Sequence, residues 1–395
     1  TRLARAPGPV AAAAPAVRIA DWVPEVRSAA SAALAPRTGF EDAAAIIPVL
    51  LALQRRQRGR RAVAGYLAGV AAGPVATLQA LAASGDRSRR LRAWQVLASR
   101  SLLAADELTA RAVRDPDLVV ALWCARSLAS PGGDLPPGIG PRLPGSARAG
   151  VRAFAAGHVS DDQLTTQALR GLLLDRCGAV RSVARWRWRQ QYADPGPVYH
   201  AVLGAASQPR QIAAALQGLD EDRDDSLPAT AVPFLTHASP AVRRAAAQAI
   251  GHHAAASDIV SLLAPLLLDS SGKVAATALR YVRGRALPAS VLASLDGADT
   301  ARSRRLALSL RQSSGTGNRV HADLAAINDH DRNLAEAARK DLLAGLQHGA
   351  ATSYGKPGPA QAGQIAGLLA ASRLSQHQRR EIAFVAGIRV PPAGS

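Results

Sequence analysis

The residues best placed to do chemistry lie in VRSVARWRWRQQY, 180–192. Arg181, Arg185, Arg189 and Tyr192 recur every three or four residues, so on a helix they share one face. A row of guanidiniums with an aromatic at its edge suits a phosphate backbone or an unstacked base. The competing reading is a solvated helix face over core tryptophans. Trp186 and Trp188 stand about 200° apart around a helix axis, so they cannot share a groove, and one or both fill the core. A second basic run, QRRQRGRR, supplies Arg55, Arg56, Arg58, Arg60 and Arg61. Arg87, Arg89, Arg90 and Arg92 follow beside Trp94. The two runs would form one patch with salt-sensitive affinity for polyanions, although a charged inter-helix connection accounts for the first run equally well. Arg55, Arg56, Arg58, Arg89, Arg90, Arg181, Arg185, Arg189 and Tyr192 are therefore the candidate ligand or nucleic-acid contacts.

Other chemistry finds less support. The run Asp220-Glu-Asp-Arg-Asp-Asp225 alternates acids like a calcium loop but lacks the central Gly and distal Glu. It reads as an acidic turn capping a helix that begins near Pro228. His252 and His253 are adjacent, and from a helix both are not expected to point at one ion. No HExxH, paired CxxC, GxSxG or Walker-type loop occurs. GTGN at 315–318 has no strand leading into it. Asp21 with Glu25, and Asp106 with Glu107, look like surface carboxylates. Cys124 and Cys177 are the only cysteines; they have no metal-ligand spacing, and a reducing cytoplasm is the default setting. The expectation is no catalytic residue, no metal and no cofactor.

What would position these side chains is a repeat. A polar residue, an aliphatic five later and often an Arg next recur as Asp21…Val26-Arg27, Asp86…Leu91-Arg92, Asp175…Val180-Arg181, His237…Val242-Arg243, Asp269…Val274 and Asp329…Leu334. Weaker copies sit at Val120, Val151-Arg152 and Ile212. From Leu91 to Val274 the anchors are 29, 31, 29, 32, 30 and 32 residues apart. A period near 31 in helical material signals stacked helical hairpins. In one copy, 258–268 forms a first helix, Asp269–Gly272 a turn, and 273–283 a second helix with Val274 and Ala278 inward. The same order reads at 163–192 and 319–346. The recurrent charges have a structural use: Asp of one repeat can pair with Arg of the next and fix register. That use covers Arg27, Arg92, Arg152, Arg181 and Arg243.

PEVRSAASAAL at 24–34 and PAVRRAAAQAI at 240–250 resemble HEAT repeats, in particular the shorter HEAT-like type of phycobilin lyases and many bacterial scaffold proteins. The resemblance runs from about residue 17 to 347. It implies an all-α, right-handed α-α superhelix (α-solenoid) of about eleven hairpins. The copy at 288–312 departs from it, with Arg304-Arg305 at the anchor. Residues 1–129 would hold basic N-terminal repeats and 151–348 the central ones. The Pro/Gly-rich stretch 130–150 breaks the solenoid, and 349–359 is a joint before a capping pair and tail at 360–395.

Net charge is +19, and every cation is Arg except Lys273, Lys340 and Lys356. Residues 1–200 hold 27 of the 48 cations but 14 of the 29 acids, which points toward acidic or phosphate-bearing partners. Pro7, Pro9 and Pro15 interrupt any leader-like segment. The chain starts at Thr1 without a Met anywhere, as a sequence trimmed at its start would. The uncharged stretch 62–85 reads as two short helices broken at Gly73-Pro74, not as a membrane span. Within it, Gly65, Gly69 and Gly73 share a helix face, expected to let a neighbouring helix approach. The leading functional expectation is a non-catalytic, cytoplasmic scaffold binding an acidic protein or peptide along a concave face, with no membrane partner. The alternative is nucleic-acid binding. Helical-repeat DNA glycosylases of the alkylpurine type are similar in build and place an acid among aromatics at the lesion. Trp186 and Trp188 have no carboxylate one turn away and Trp22 adjoins a turn Asp, so no catalytic position carries over. A bilin lyase is a third expectation, resting on repeat type alone.

Overall fold

The structure, a computed structural model, describes residues 9–54, 56–130, 135–205, 207–298, 300–348 and 357–388. Arg55 and most of the expected joint at 349–359 lie outside the described residues. Every regular element among those described is helical. The chain forms two compact units, Thr1–Pro195 and Gly196–Ser395.

In the first unit the helices come in pairs. They are α1 (Pro9–Arg18) with α2 (Pro24–Leu34), and α3 (Phe40–Leu53) with α4 (Arg60–Ala72). Next come α5 (Val75–Ala82) with α6 (Arg87–Ser99), and α7 (Ala105–Arg114) with α8 (Leu118–Ser127). A 3-10 turn, Gly140–Gly145, then stands in place of a first helix before α9 (Ala149–His158); α10 (Thr166–Leu173) and α11 (Gly178–Tyr192) close the unit. The second unit opens with α12 (Gly196–Gly204) and α13 (Pro209–Asp222), then α14 (Leu227–Ala231) and α15 (Pro240–His253). It continues with α16 (Ala256–Leu263) and α17 (Gly272–Val282), and with α18 (Ala289–Gly297) and α19 (Ala301–Gln312). The last pairs are α20 (Thr316–Ala326) with α21 (Arg332–His348) and α22 (Pro359–Ala371) with α23 (Gln376–Ala386).

One packing rule recurs in both units. A second helix lies against its own first helix and against the second helix of the following pair. In the first unit α6 packs on α8, α8 on α9 and α9 on α11; in the second, α13 packs on α15 and α15 on α17. The sequence anchors Val120, Val151, Val180, Val242 and Val274 are all fully buried. Four residues beyond each anchor stands a small residue: Cys124, Ala155, Ala184, Ala246, Ala278 and, after Leu334, Ala338, all with no exposed surface. Small side chains there let neighbouring helices come close. Cys124 thus occupies an alanine slot, and burial pushes its thiol up to about 12, which keeps it unreactive.

The turns explain where the second helices start. Asp115, Asp175, Asp269 and Asp329 each accept a bond from the backbone N–H two residues on, at 2.9, 2.8, 2.7 and 2.7 Å. These are Asx turns, and the helix begins one residue later. Where 130–150 was expected to break the rhythm, apolar Leu135, Ile139 and Leu143 are buried in the absence of a first helix. Gln163 ties that segment down, accepting from the Gly140 N–H and donating to the Leu135 carbonyl, both at 3.1 Å. A Cβ at Gly140 would sit 2.5 Å from Val159, so only glycine fits there.

Helices α4 and α5 meet at 108°, and no single helix among the described residues is long and apolar enough to cross a membrane. The glycine row on α4 does not serve helix approach as expected: a Cβ at Gly65 meets nothing within 4 Å. Gly65→Ala should therefore raise stability by about 0.5–1 kcal/mol, seen as a higher thermal midpoint.

Candidate functional site

The recurrent Arg and Asp form a ladder whose direction is opposite to the expected one. The Arg belongs to the earlier repeat and the Asp to the following one. Arg152 Nε and Nη2 grip Asp175 at 2.6 and 2.9 Å, and its Nη1 donates to the Ser146 carbonyl at 2.8 Å. Arg243 repeats this on Asp269 at 2.6 and 2.8 Å and on the His237 carbonyl at 2.8 Å. Arg90 donates to the Ser84 and Gly85 carbonyls and lies 3.3 Å from Asp115; Arg304 lies 3.3 Å from Asp329. Arg90, Arg152 and Arg243 thus each close their own turn and clasp the next. Arg90, not Arg92, holds this position, because Ser84 rather than Asp86 is the turn residue. Asp86 instead caps α6, accepting from the Arg89 N–H at 2.9 Å.

This arrangement divides the expected contact residues. Arg90, Arg181 and Arg185 are buried, and Arg181 donates to the Asp175 carbonyl at 2.6 Å. Arg89 is half-buried, whereas Arg56, Arg58, Arg189 and Tyr192 are exposed. The Tyr192 ring lies 4.6 Å from that of Trp188, and its hydroxyl is 2.8 Å from that of Thr166. Helix α11 is rolled relative to the expected basic stripe, because its first Arg is drawn inward over the turn. Trp188 fills the core and donates to the Asp194 carbonyl at 3.3 Å. Trp186 faces outward, 58% exposed.

Trp186 belongs to an exposed face built by three successive second helices. Counted from the turn residue, the fourth, seventh and eleventh positions are Val119, Leu122 and Arg126 on α8; Gly150, Ala153 and Gly157 on α9; and Ala179, Ser182 and Trp186 on α11. Leu118 and Val119 are each 47% exposed. Leu118 leans over α9, where a Cβ at Gly150 would stand 2.9 Å from its Cδ1. The face is apolar, with Arg126 and Arg189 exposed at its ends. In the second unit the corresponding positions include cations: Arg244 on α15, Lys273 and Arg280 on α17, and Arg302 and Arg305 on α19. Helical periodicity shows this row only once the turn residues are fixed, so a scan for basic runs passes over it.

The second unit also holds a cleft of about 340 Å³ lined by Asp296, Arg304, Arg311, His321 and Asp329. Its guanidiniums are engaged by its carboxylates, Arg311 with Asp296 at 2.5 Å and Arg304 with Asp329 at 3.3 Å. Such a cleft is a closed charge network.

Two expectations from the 220–253 region change. Asp220, Glu221 and Asp222 complete α13 instead of forming a turn, and Asp224 makes the turn, accepting from the Ser226 N–H at 2.8 Å. His252 and His253 do converge. His252 Nδ1 and His253 Nε2 each lie 2.8 Å from the same Asp220 Oδ1. Adjacent helical residues are about 100° apart, and the carboxylate sits in the wedge between the two rings.

The chain matches no protein-family model, and no curated protein matches it.

Proposed function

We propose that this protein is a HEAT-like α-solenoid scaffold that binds an acidic, amphipathic protein segment on the exposed face of its second helices. The hairpin period and the shared packing rule support a right-handed superhelix. The observation that carries the binding reading is the apolar face of Leu118, Val119 and Trp186 with arginines at its ends. Uncovered apolar side chains of this size favour a protein partner, and a tryptophan in such a face is a typical anchor. The cationic positions of the second unit favour acidic sequences by electrostatic complementarity. A second reading, nucleic-acid binding, rests on the exposed Arg56, Arg58, Arg60 and Arg61.

Binding of a labelled acidic amphipathic peptide and of a short labelled duplex, each at low and moderate salt, separates the two. The peptide should still bind at moderate salt, and Trp186→Ala should weaken it about tenfold. Duplex binding should fall steeply with salt, by roughly a thousandfold for six phosphate contacts, and be indifferent to Trp186. Duplex binding tighter than peptide binding at moderate salt would reverse the assignment.

A further inference from the structure

The geometry points to a transition-metal site of the Zn²⁺ class, formed by Asp220, His252 and His253. One donor atom from each lies within 4.8 Å of the other two. The three ligands come from the last turns of α13 and α15, helices packed directly on each other. Two imidazoles and one carboxylate form the donor set of borderline metals such as zinc, while magnesium and calcium prefer all-oxygen sites.

The present arrangement shows how a cation would enter. Asp220 Oδ1 takes hydrogen bonds from both rings, at 2.8 Å each. Bonds of about 2.05 Å at tetrahedral angles need donors roughly 3.3 Å apart. A metal entering there, with each ring's proton on its other nitrogen, would lengthen each histidine–Asp220 spacing by about half an ångström, and the two histidine nitrogens already stand within 4.8 Å of each other. His252 is exposed, so water or a partner's side chain can supply a fourth ligand, as in zinc sites that keep one position open. Both ligand-bearing segments are helix C-termini, whose carbonyl ends favour a cation.

Tyr281 supplies the outer support. Its hydroxyl is 2.7 Å from His252 Nε2, and its ring meets that of His252 edge-on at 5.4 Å between centroids. A Tyr hydroxyl accepting from Nε2–H leaves the Nδ1 lone pair for the metal, the usual role of a second partner on a ligating histidine. Gly251 makes this possible, because a Cβ there would lie 2.4 Å from the Tyr281 ring. The site draws on three successive second helices and is independent of which partner the scaffold binds.

The test uses the full-length, untagged chain titrated with Co²⁺ and then Zn²⁺. The expected result is one Co²⁺ per chain, visible d–d absorption of a low-coordinate site, and displacement by one Zn²⁺. His253→Ala and Asp220→Asn should each weaken binding by more than about thirtyfold, and Tyr281→Phe by about tenfold. His377→Ala, an exposed histidine on α23, should leave binding unchanged. Circular dichroism checks that each variant folds. Independently of any variant, Zn²⁺ should protect His252 and His253 of the wild-type chain from diethylpyrocarbonate, read by mass spectrometry. Binding no tighter in wild type than in the His252→Ala/His253→Ala double variant overturns the proposal, as does unchanged modification of both histidines with saturating Zn²⁺.

Discussion

Replacing Arg243 with alanine is expected to lower the unfolding free energy by about 3–5 kcal/mol, the range for breaking a buried, hydrogen-bonded ion pair from one side. The loss combines several parts. Asp269 would be left buried with only the Ser271 N–H as a donor, at 2.7 Å, and the His237 and Ala238 carbonyls would lose the guanidinium that closes their turn. Asp269→Ala should cost a comparable amount, because it strands a guanidinium whose remaining bonds go only to its own turn. The double variant should cost less than the two singles together by about 2 kcal/mol, since the second removal no longer strands a partner. Chemical denaturation of all four proteins yields the cycle.

The same pair predicts a pH dependence. The Arg243 guanidinium, followed by the Ser271 N–H, holds the Asp269 carboxyl below its ordinary value against the opposing effect of burial. A depressed carboxyl contributes stability above its unfolded value near 3.8, and that contribution is lost as pH falls through the folded value. The difference between wild type and Arg243→Ala should therefore be full at pH 7 and shrink below about pH 4. A difference that stays constant down to pH 2.5 would show that packing of the Arg243 stem, not its charge, does the work.

The period of the repeat was open to reading from sequence because its anchors are aliphatic residues at turns, where polar neighbours make them stand out. Val120, Val151 and Val180 mark three consecutive second helices, and the structure buries all of them. The alanine row four residues later carried no signal. In a chain so rich in Ala, a position that tolerates only a small residue looks like any other, and Cys124 looked like an isolated thiol. The register at 84–92 was misjudged because two kinds of Asp look alike in sequence. Asp86 caps a helix by accepting three residues on, whereas Asp115 shapes a turn by accepting two residues on.

The face of a second helix was likewise misplaced by its charges. Arg181 and Arg185 seemed to mark the solvent side because arginine is seldom buried unless paired. In these repeats the arginine is paired: Arg152 and Arg243 hold their own turn and the next repeat, and Arg181 holds its own turn, which draws charge inward and leaves Trp186 outside. The His252–His253 pair was passed over because adjacency was weighed against a single helix. Asp220 belongs to the neighbouring helix, and only packing of α13 on α15 brings it into the wedge between the rings.

Asp323→Asn is expected to stabilise the protein above neutral pH and to leave it nearly unchanged under acidic conditions. Asp323 lies on α20 with no exposed surface. Its Oδ1 accepts from Gln312 Nε2 at 2.7 Å, while its Oδ2 has no donor. Burial foremost, with the nearby Asp341 carboxylate adding to it, pushes its carboxyl up to about 7. Asp341 is itself held by Arg319 at 2.7 and 2.8 Å, and Asp323 keeps its proton to higher pH than an ordinary carboxyl. The sign follows. A carboxyl that binds its proton more tightly when folded costs nothing below pH 3.8, and its cost grows between pH 3.8 and about 7. At 1.36 kcal/mol per unit the ceiling is roughly 4 kcal/mol. Asparagine keeps the acceptor for Gln312 without any ionisation to resist. Stability curves should therefore coincide near pH 4 and separate by about 1–3 kcal/mol at pH 8, with the variant higher. If the variant is instead less stable at pH 8, burial does not raise the Asp323 carboxyl in the folded protein.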